Sequence, residues 1–263
     1  MTKILGIVSA SYSGTTTLTM QLGALPGWFA AGETHWLRAS PLDRFFCPEC
    51  KGMCNYWTSE LRQHLQETNR WWDTMRSGLA NYDWLVASDK IPKFYEENPG
   101  VDHYVLQWKD PRGWFHSARR HDGIALSQAI VSWSNLYERA FRLIEADTPV
   151  TVVDWDKFSQ EPLAGLNNIL SDLGARPITS LPERAPSHMI GGNAEARGSQ
   201  RSDEHKKTFG DTIRPDTRWQ TGNSQEENDA IIGSERVQAV LARFSQLSKK
   251  RLTHSESEGR ART

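Results

Sequence analysis

The chain has 263 residues, enough for one α/β domain with a substantial core and room for a small subdomain. Its 31 lysines and arginines against 32 aspartates and glutamates leave a formal net charge of −1, which excludes a surface built as a whole for nucleic acid. No apolar run reaches membrane-spanning length and the first residues lead directly into an apolar strand, so a soluble, cytoplasmic protein without a membrane span is expected.

The apolar, β-branched run Ile4 to Val8 predicts a buried parallel strand. It runs into Ser9-Ala-Ser-Tyr-Ser-Gly-Thr-Thr-Thr17 and then a helical face with Leu18, Met20 and Leu22. A strand, a loop of small residues and a helix start together offer N–H groups and hydroxyls to a phosphate. A nucleotide P-loop needs Gly-x-x-x-x-Gly-Lys-Ser/Thr, and no lysine is present here. The loop is therefore a phosphate cradle of another kind or a capped turn.

Trp28 to Leu37 reads as a second strand ending at Gly32-Glu33, followed by an insertion over about 38–58. Thr58 to Gly78 has a helical pattern, with Leu61, Leu65, Trp72 and Met75 on one side. Asp83 to Lys90 and His103 to Lys109 predict further strands, and Trp114 to Glu145 a long helical region interrupted near Asp122-Gly123. Val150 to Asp154 is another strand, and Pro162 to Gly174 an amphipathic helix stopped by its glycine. Strands alternating with helices predict an α/β, three-layer, mostly parallel doubly wound sheet with a P-loop-like strand–loop–helix phosphate site. Ser187 to Gly222 is rich in Gly, Arg, Asn, Asp and Thr and reads as a long loop, functional or disordered. A last helix is expected over Glu226 to Ser245. One domain then covers 1–247, with 248–263 a polar, flexible tail.

Eleven tryptophans are many for this length, and a concentration of large rings suits core, cleft wall or a pocket for a ring-shaped ligand. The three cysteines cluster as Cys47-Pro-Glu-Cys50-Lys-Gly-Met-Cys54. Their Cys-x-x-Cys half resembles a zinc knuckle, and His35 or His64 is at hand as a fourth ligand. Reduced thiols or a redox-labile pair are the alternatives, and with no second Cys-x-x-Cys the sequence favours no metal at all.

Ligands of a doubly wound sheet bind outside the carboxyl ends of its strands. Here those ends are Ser9–Thr17, Gly32-Glu33, Ser88-Asp89-Lys90 and Lys109-Asp-Pro-Arg112, a phosphate-type loop, a carboxylate and two cations. This combination suits an anionic nucleotide and a proton transfer.

Ser13-Gly14-Thr15-Thr16 resembles the 5′-phosphosulfate loop of the sulfotransferases that use 3′-phosphoadenosine 5′-phosphosulfate (PAPS). Lys109-Asp110-Pro111-Arg112 with Ser117 resembles their second motif, in which a serine follows the basic residue by eight. Gly32-Glu33 with Trp36-Leu37, the cysteine segment leading to Tyr56-Trp57, and Ser88-Asp-Lys90 before Pro92 are similar to elements of the bacterial branch. So are Val153-Asp-Trp-Asp-Lys-Phe158 with Glu161-Pro162, and His188-Met-Ile-Gly-Gly-Asn193 with Arg197 and Asp216…Trp219. The likeness spans about residues 3 to 222, with six motifs in order.

The resemblance implies transfer of a sulfonate group from PAPS to a hydroxyl or amine, in line and without a metal. It assigns the 5′-phosphosulfate to Tyr12, Ser13, Gly14, Thr15, Thr16 and Thr17, and the 3′-phosphate to Lys109 and Ser117, with Arg197 closing over it and Arg201 beside it. Glu33 is the candidate general base, His35 its rival, and Lys90 the cation at the transferred group. Trp155 is either a face for the adenine or core, and Arg112 and Asp156 hold loops. Two residues depart from the pattern. Tyr12 stands where a cation is usual, and Lys109 replaces an arginine, keeping charge but losing bidentate recognition. The competing readings are a P-loop-type kinase or hydrolase and a catalytically impaired nucleotide-binding homologue. The acceptor is a small molecule (lipid, phenol or sugar) contacted by the Trp28–Trp72 region and 187–222. Nothing in the sequence fixes the oligomeric state.

Overall fold

A computed structural model describes residues 1–39, 47, 49–50, 54–144, 148–183, 187–192 and 213–260. Five strands, β1 (Lys3–Val8), β2 (Trp28–Gly32), β3 (Trp84–Ala87), β4 (His103–Trp108) and β5 (Val150–Asp154), form one sheet in the order β2-β3-β1-β4-β5. Every pairing is parallel. All five carboxyl ends therefore lie along one edge, and the chain reverses its direction of travel across the sheet on either side of β1.

Both faces of the sheet are covered, which is why β1 to β4 read as nearly continuous apolar runs. Strand alternation sends Leu5 and Ile7 of β1 to one face, where they pack with Leu18 and Leu22 of α1 (Thr15–Gly23) and Leu166 and Ile169 of α9 (Pro162–Asp172). Ile4 and Val8 go to the other face and meet Trp71, Trp72, Phe94, Phe115, Trp133 and Tyr137. That layer comprises α3 (Ser59–Glu67), α4 (Trp71–Gly78), α5 (Pro92–Glu97), α6 (Pro111–Asp122) and α7 (Leu126–Ile144). The three-layer α/β architecture expected from the sequence is the one observed.

The region Thr58–Gly78 is two helices rather than one, because Thr68 and Arg70 leave helical geometry between α3 and α4. The break predicted at Asp122-Gly123 lies between α6 and α7, with Gly123 in the left-handed cap at φ 65°. The short helices that were not expected include α5, where Pro92 serves as a first-turn residue after Lys90, and α8 (Trp155–Gln160), capped by the Asp154 side chain.

The C-terminal region contains α10 (Trp219–Gly222), α11 (Gln225–Gly233) and α12 (Glu235–Arg260) in place of a single helix. The backbone stays helical as far as Arg260, within the polar segment expected to be a tail. Val237, Val240 and Phe244 of α12 are buried, Phe244 against Trp108, Tyr137 and Phe141. No described helix is long and apolar enough to cross a membrane.

Candidate functional site

The loop after β1 is held from beneath by side chains that bind its carbonyls. Gln107 Nε2 donates to the Ser13 carbonyl and Trp114 Nε1 to that of Ser11 at 2.7 Å, while the Tyr137 hydroxyl accepts from the Ala10 N–H at 3.3 Å. With these carbonyls engaged inward, the N–H groups that open α1 have no intrahelical acceptor, as at any helix start. Among the described residues, Thr15 Oγ1 is buried without a hydrogen-bond partner. Ser13 is wholly buried and Thr16 is buried, whereas Thr17 is half-buried. This is the chemistry of an anion cradle.

Gly14 caps α1 in the left-handed region at φ 83°, and the indole of Trp155 lies directly beneath it. A Cβ there would come within 2.3 Å of Trp155 Cε2. Trp155 is buried and stacked on Phe158, so its role is support for the loop rather than a face for a base. Gly14→Ala is expected to destabilise the protein by at least about 2 kcal/mol, from left-handed strain plus displacement of the ring, measurable by urea unfolding.

Tyr12 is also left-handed, at φ 63°. Its ring stacks on His121 at 4.9 Å and its hydroxyl donates to Asp122 at 2.6 Å, tying the loop to the end of α6. Burial and Asp122 push the phenol up to about 12, so it remains a neutral donor. The position of the usual cation is thus occupied by a tether.

Beyond β2, Gly32 turns at φ 78° and its neighbour Glu33 accepts three hydrogen bonds. Lys90 Nζ and the Gly192 N–H (3.0 Å) reach Oε1, and Trp36 Nε1 reaches Oε2 at 3.0 Å. Burial opposes ionisation, but the Lys90 charge and these donors outweigh it and hold the carboxyl below the usual glutamate range. Lys90 follows β3 in a left-handed conformation, φ 62°, inside a three-residue turn closed by the Ile91 N–H on the Asp89 carbonyl at 2.6 Å. Strain of this kind concentrates at functional sites. Because β2 and β3 are neighbours, their two ends bring Glu33 and Lys90 into contact.

β2 stops at Gly32, and α2 (Trp36–Ala39) begins after Glu33, Thr34 and His35, which lie in the turn between them. His35 docks on Asp89. Asp89 Oδ1 takes the His35 backbone N–H at 2.6 Å and lies 3.0 Å from Nδ1, while Thr34 Oγ1 donates to Oδ2 at 2.9 Å. Asp89 is fully buried; its desolvation pushes the carboxyl up, against the pull of His35 and Thr34. Among the described residues His35 Nε2 makes no hydrogen bond. The Asp89–His35 pair is an arrangement that sequence reasoning missed, since the two lie 54 residues apart.

At the end of β4 the spacing of eight brings Lys109 Nζ to 3.3 Å from Ser117 Oγ, on the first turns of α6. Lys109 is 2% exposed. Its other partner is Asp216 Oδ2 at 3.4 Å, and Asp216 in turn takes two bonds from the Arg218 guanidinium, both 2.8 Å. Burial disfavours the Asp216 anion, but Arg218 and Lys109 outweigh it and hold that carboxyl well below its ordinary range. An anion already lies against Lys109. Arg112 pairs with Asp110 and lies over Trp219 at 4.4 Å, and Asp156 accepts the Asp110 N–H at 2.8 Å, both structural roles. Arg197 and Arg201 lie outside the described residues.

Trp28, Trp57, Trp71 and Trp72 are all core, the first of the readings open for the aromatic concentration, while Trp36, beside Glu33, is 51% exposed. One expectation is corrected. The fourth side chain at the cysteines is His188, neither His35, which is bound to Asp89, nor His64 on α3.

No protein-family model matches the chain, and no curated protein matches it in sequence. Solved structures do match its fold. The sulfotransferase domain from the curacin biosynthetic pathway is 14% identical, over 93% of this chain and 98% of that one, with a TM-score of 0.60. The sulfotransferase domain from the Synechococcus PCC 7002 olefin synthase is 15% identical, over 88% and 94%, with a TM-score of 0.50. The chain has the sulfotransferase fold.

Proposed function

We propose that the protein is a PAPS-dependent sulfotransferase acting on a hydroxyl or amine of a small molecule. The observation that carries this reading is the spatial order of the sheet edge. Strand order β2-β3-β1-β4 puts Glu33, then Lys90, then the Ser13–Thr17 cradle, then Lys109 with Ser117 in one row. A nucleotide with charged groups at both ends fits the β1–β4 side, and an acceptor fits the β2–β3 side.

In this reading the cradle holds the 5′-phosphosulfate, and the unsatisfied Thr15 hydroxyl is one of its donors. Lys109 and Ser117 take the 3′-phosphate in exchange for Asp216. The acceptor oxygen or nitrogen forms its bond to sulfur as the sulfur–oxygen bond to the phosphate breaks, leaving adenosine 3′,5′-bisphosphate. Glu33, ionised through the neutral range, takes the acceptor proton, and Lys90 steadies negative charge on the transferred group. The Asp89–His35 pair favours a second version, in which imidazole is the base and Asp89 its orienting partner.

A pH profile separates the two versions. With Glu33 as base, the acid limb of kcat/KM falls below the ordinary glutamate range of about 4.3, because Lys90 depresses the carboxyl. An acid limb that does not fall below that range takes the role from Glu33 and leaves it to the Asp89–His35 pair. The site itself is tested by calorimetry. Adenosine 3′,5′-bisphosphate is expected to bind more tightly than ATP–Mg²⁺, and the reverse preference would place the chain with kinases or nucleotide hydrolases.

A further inference from the structure

One cluster has no part in the chemistry above. Cys47, Cys50 and Cys54 converge on a residue from a distant part of the chain, His188, 134 positions beyond Cys54. The three sulfurs lie 3.4, 3.4 and 3.5 Å from the same atom, His188 Nδ1. All four atoms are within 4.8 Å of one another. None of the cysteines is in a disulfide.

Hydrogen bonding does not account for this geometry. One ring nitrogen offers a single proton or a single lone pair, enough for one sulfur and not three. A tetrahedral zinc does account for it. Zn–S bonds of about 2.3 Å and a Zn–N bond of about 2.0–2.1 Å put each sulfur about 3.6 Å from the nitrogen. The three observed separations fall within about 0.2 Å of that edge, the tolerance expected of a real site. Three thiolates and one imidazole in a tetrahedron suit zinc rather than a hard, oxygen-seeking cation.

We infer that Cys47, Cys50, Cys54 and His188 bind one zinc ion as a closed, structural site. Four protein ligands leave no open position, so the ion performs no chemistry on substrate. Its place in the fold gives its role. His188 lies in the short segment 187–192, whose Ile190 bridges to Gly32 at the end of β2. The Glu33 N–H donates to the Ile190 carbonyl at 2.8 Å, the Ile190 N–H to that of Ala31 at 3.0 Å, and the Gly192 N–H reaches the Glu33 carboxylate. Trp57, just after the cysteines, donates to the His188 carbonyl at 2.6 Å. Zinc therefore fastens the insertion before α3 to the segment that braces Glu33. This assignment is independent of the donor substrate and stands or falls on metal alone.

Metal analysis of the full chain, purified under reducing conditions without chelators, is expected to give close to one zinc per chain. Cobalt exchange should produce the visible bands of a tetrahedral thiolate site, and zinc-edge absorption should fit three sulfurs and one nitrogen. Cys50 is exposed, so Cys50→Ser leaves packing intact and should lose stoichiometric zinc, as should His188→Ala. Reduced chain that carries no zinc and takes none up from added zinc chloride overturns the inference. So do bound iron in its place, a native Cys47–Cys50 disulfide, or full occupancy in His188→Ala.

Discussion

Glu33→Gln is expected to lower sulfonate transfer by on the order of 10²–10⁴-fold, the usual contribution of a positioned proton acceptor, if the proposed role holds. The substitution keeps the shape of the side chain and its contact with the Gly192 N–H, but removes the charge that holds Lys90. The loss falls on kcat and kcat/KM together, because the proton moves only as the new bond forms. Affinity for adenosine 3′,5′-bisphosphate is expected to stay close to that of the wild type, since the proposed bisphosphate site lies on the β1–β4 side of the sheet edge. Single-turnover kinetics beside calorimetry measure the two effects separately. Unchanged transfer in Glu33→Gln would exclude the carboxylate and leave the Asp89–His35 pair as the base.

Lys109→Ala has the opposite signature. Bisphosphate affinity is expected to fall by about 3 kcal/mol, on the order of a hundredfold, as the proposed charge-assisted contact to a phosphate is removed. The fold tolerates this change better than the loss of most buried charges, because Arg218 keeps Asp216 neutralised through its two hydrogen bonds. The comparison that gives the result its meaning is adenosine 5′-phosphosulfate, which lacks the 3′-phosphate. Its affinity should change little between wild type and Lys109→Ala. Equal losses for both ligands would mean that Lys109 supports the fold through Asp216 and does not recognise a phosphate.

The resting Lys109–Asp216 contact also bears on pH. Asp216 has a depressed carboxyl, so its contribution to stability is present above the unfolded value of about 3.9 and is lost only as pH falls toward the lower folded value. Through the neutral range Asp216 is therefore an anion, and any phosphate entering beside Lys109 displaces or joins it.

Much of the sheet could be read from the chain because a strand buried on both faces is written as an apolar run, as in Ile4–Val8 and Trp84–Ala87. The break between α6 and α7 was legible because Gly123 needs a left-handed cap. The eight-residue step from Lys109 to Ser117 also carried through, since it joins a strand end to the next helix by a fixed local path. What escaped was long-range pairing. Nothing in the local pattern says that β2 and β3 are neighbours, which is what puts Lys90 on Glu33, or that Asp89 would seat His35. The imidazole at the cysteines was sought nearby, at His35 and His64, whereas topology supplies it from His188. The tryptophans stayed open for a different reason. A large ring in a sequence is equally compatible with core and with cleft, and only packing separates Trp71 and Trp72, both buried, from Trp36.

The most direct measurement is turnover of sulfur-labelled PAPS by the purified chain across hydroxyl- and amine-bearing acceptors, following both labelled product and adenosine 3′,5′-bisphosphate. The account predicts equal amounts of the two, appearing together and suppressed in Glu33→Gln. A chain that binds the bisphosphate yet releases none from PAPS with any acceptor would contradict it, and would leave the sulfotransferase fold serving as a nucleotide-binding protein.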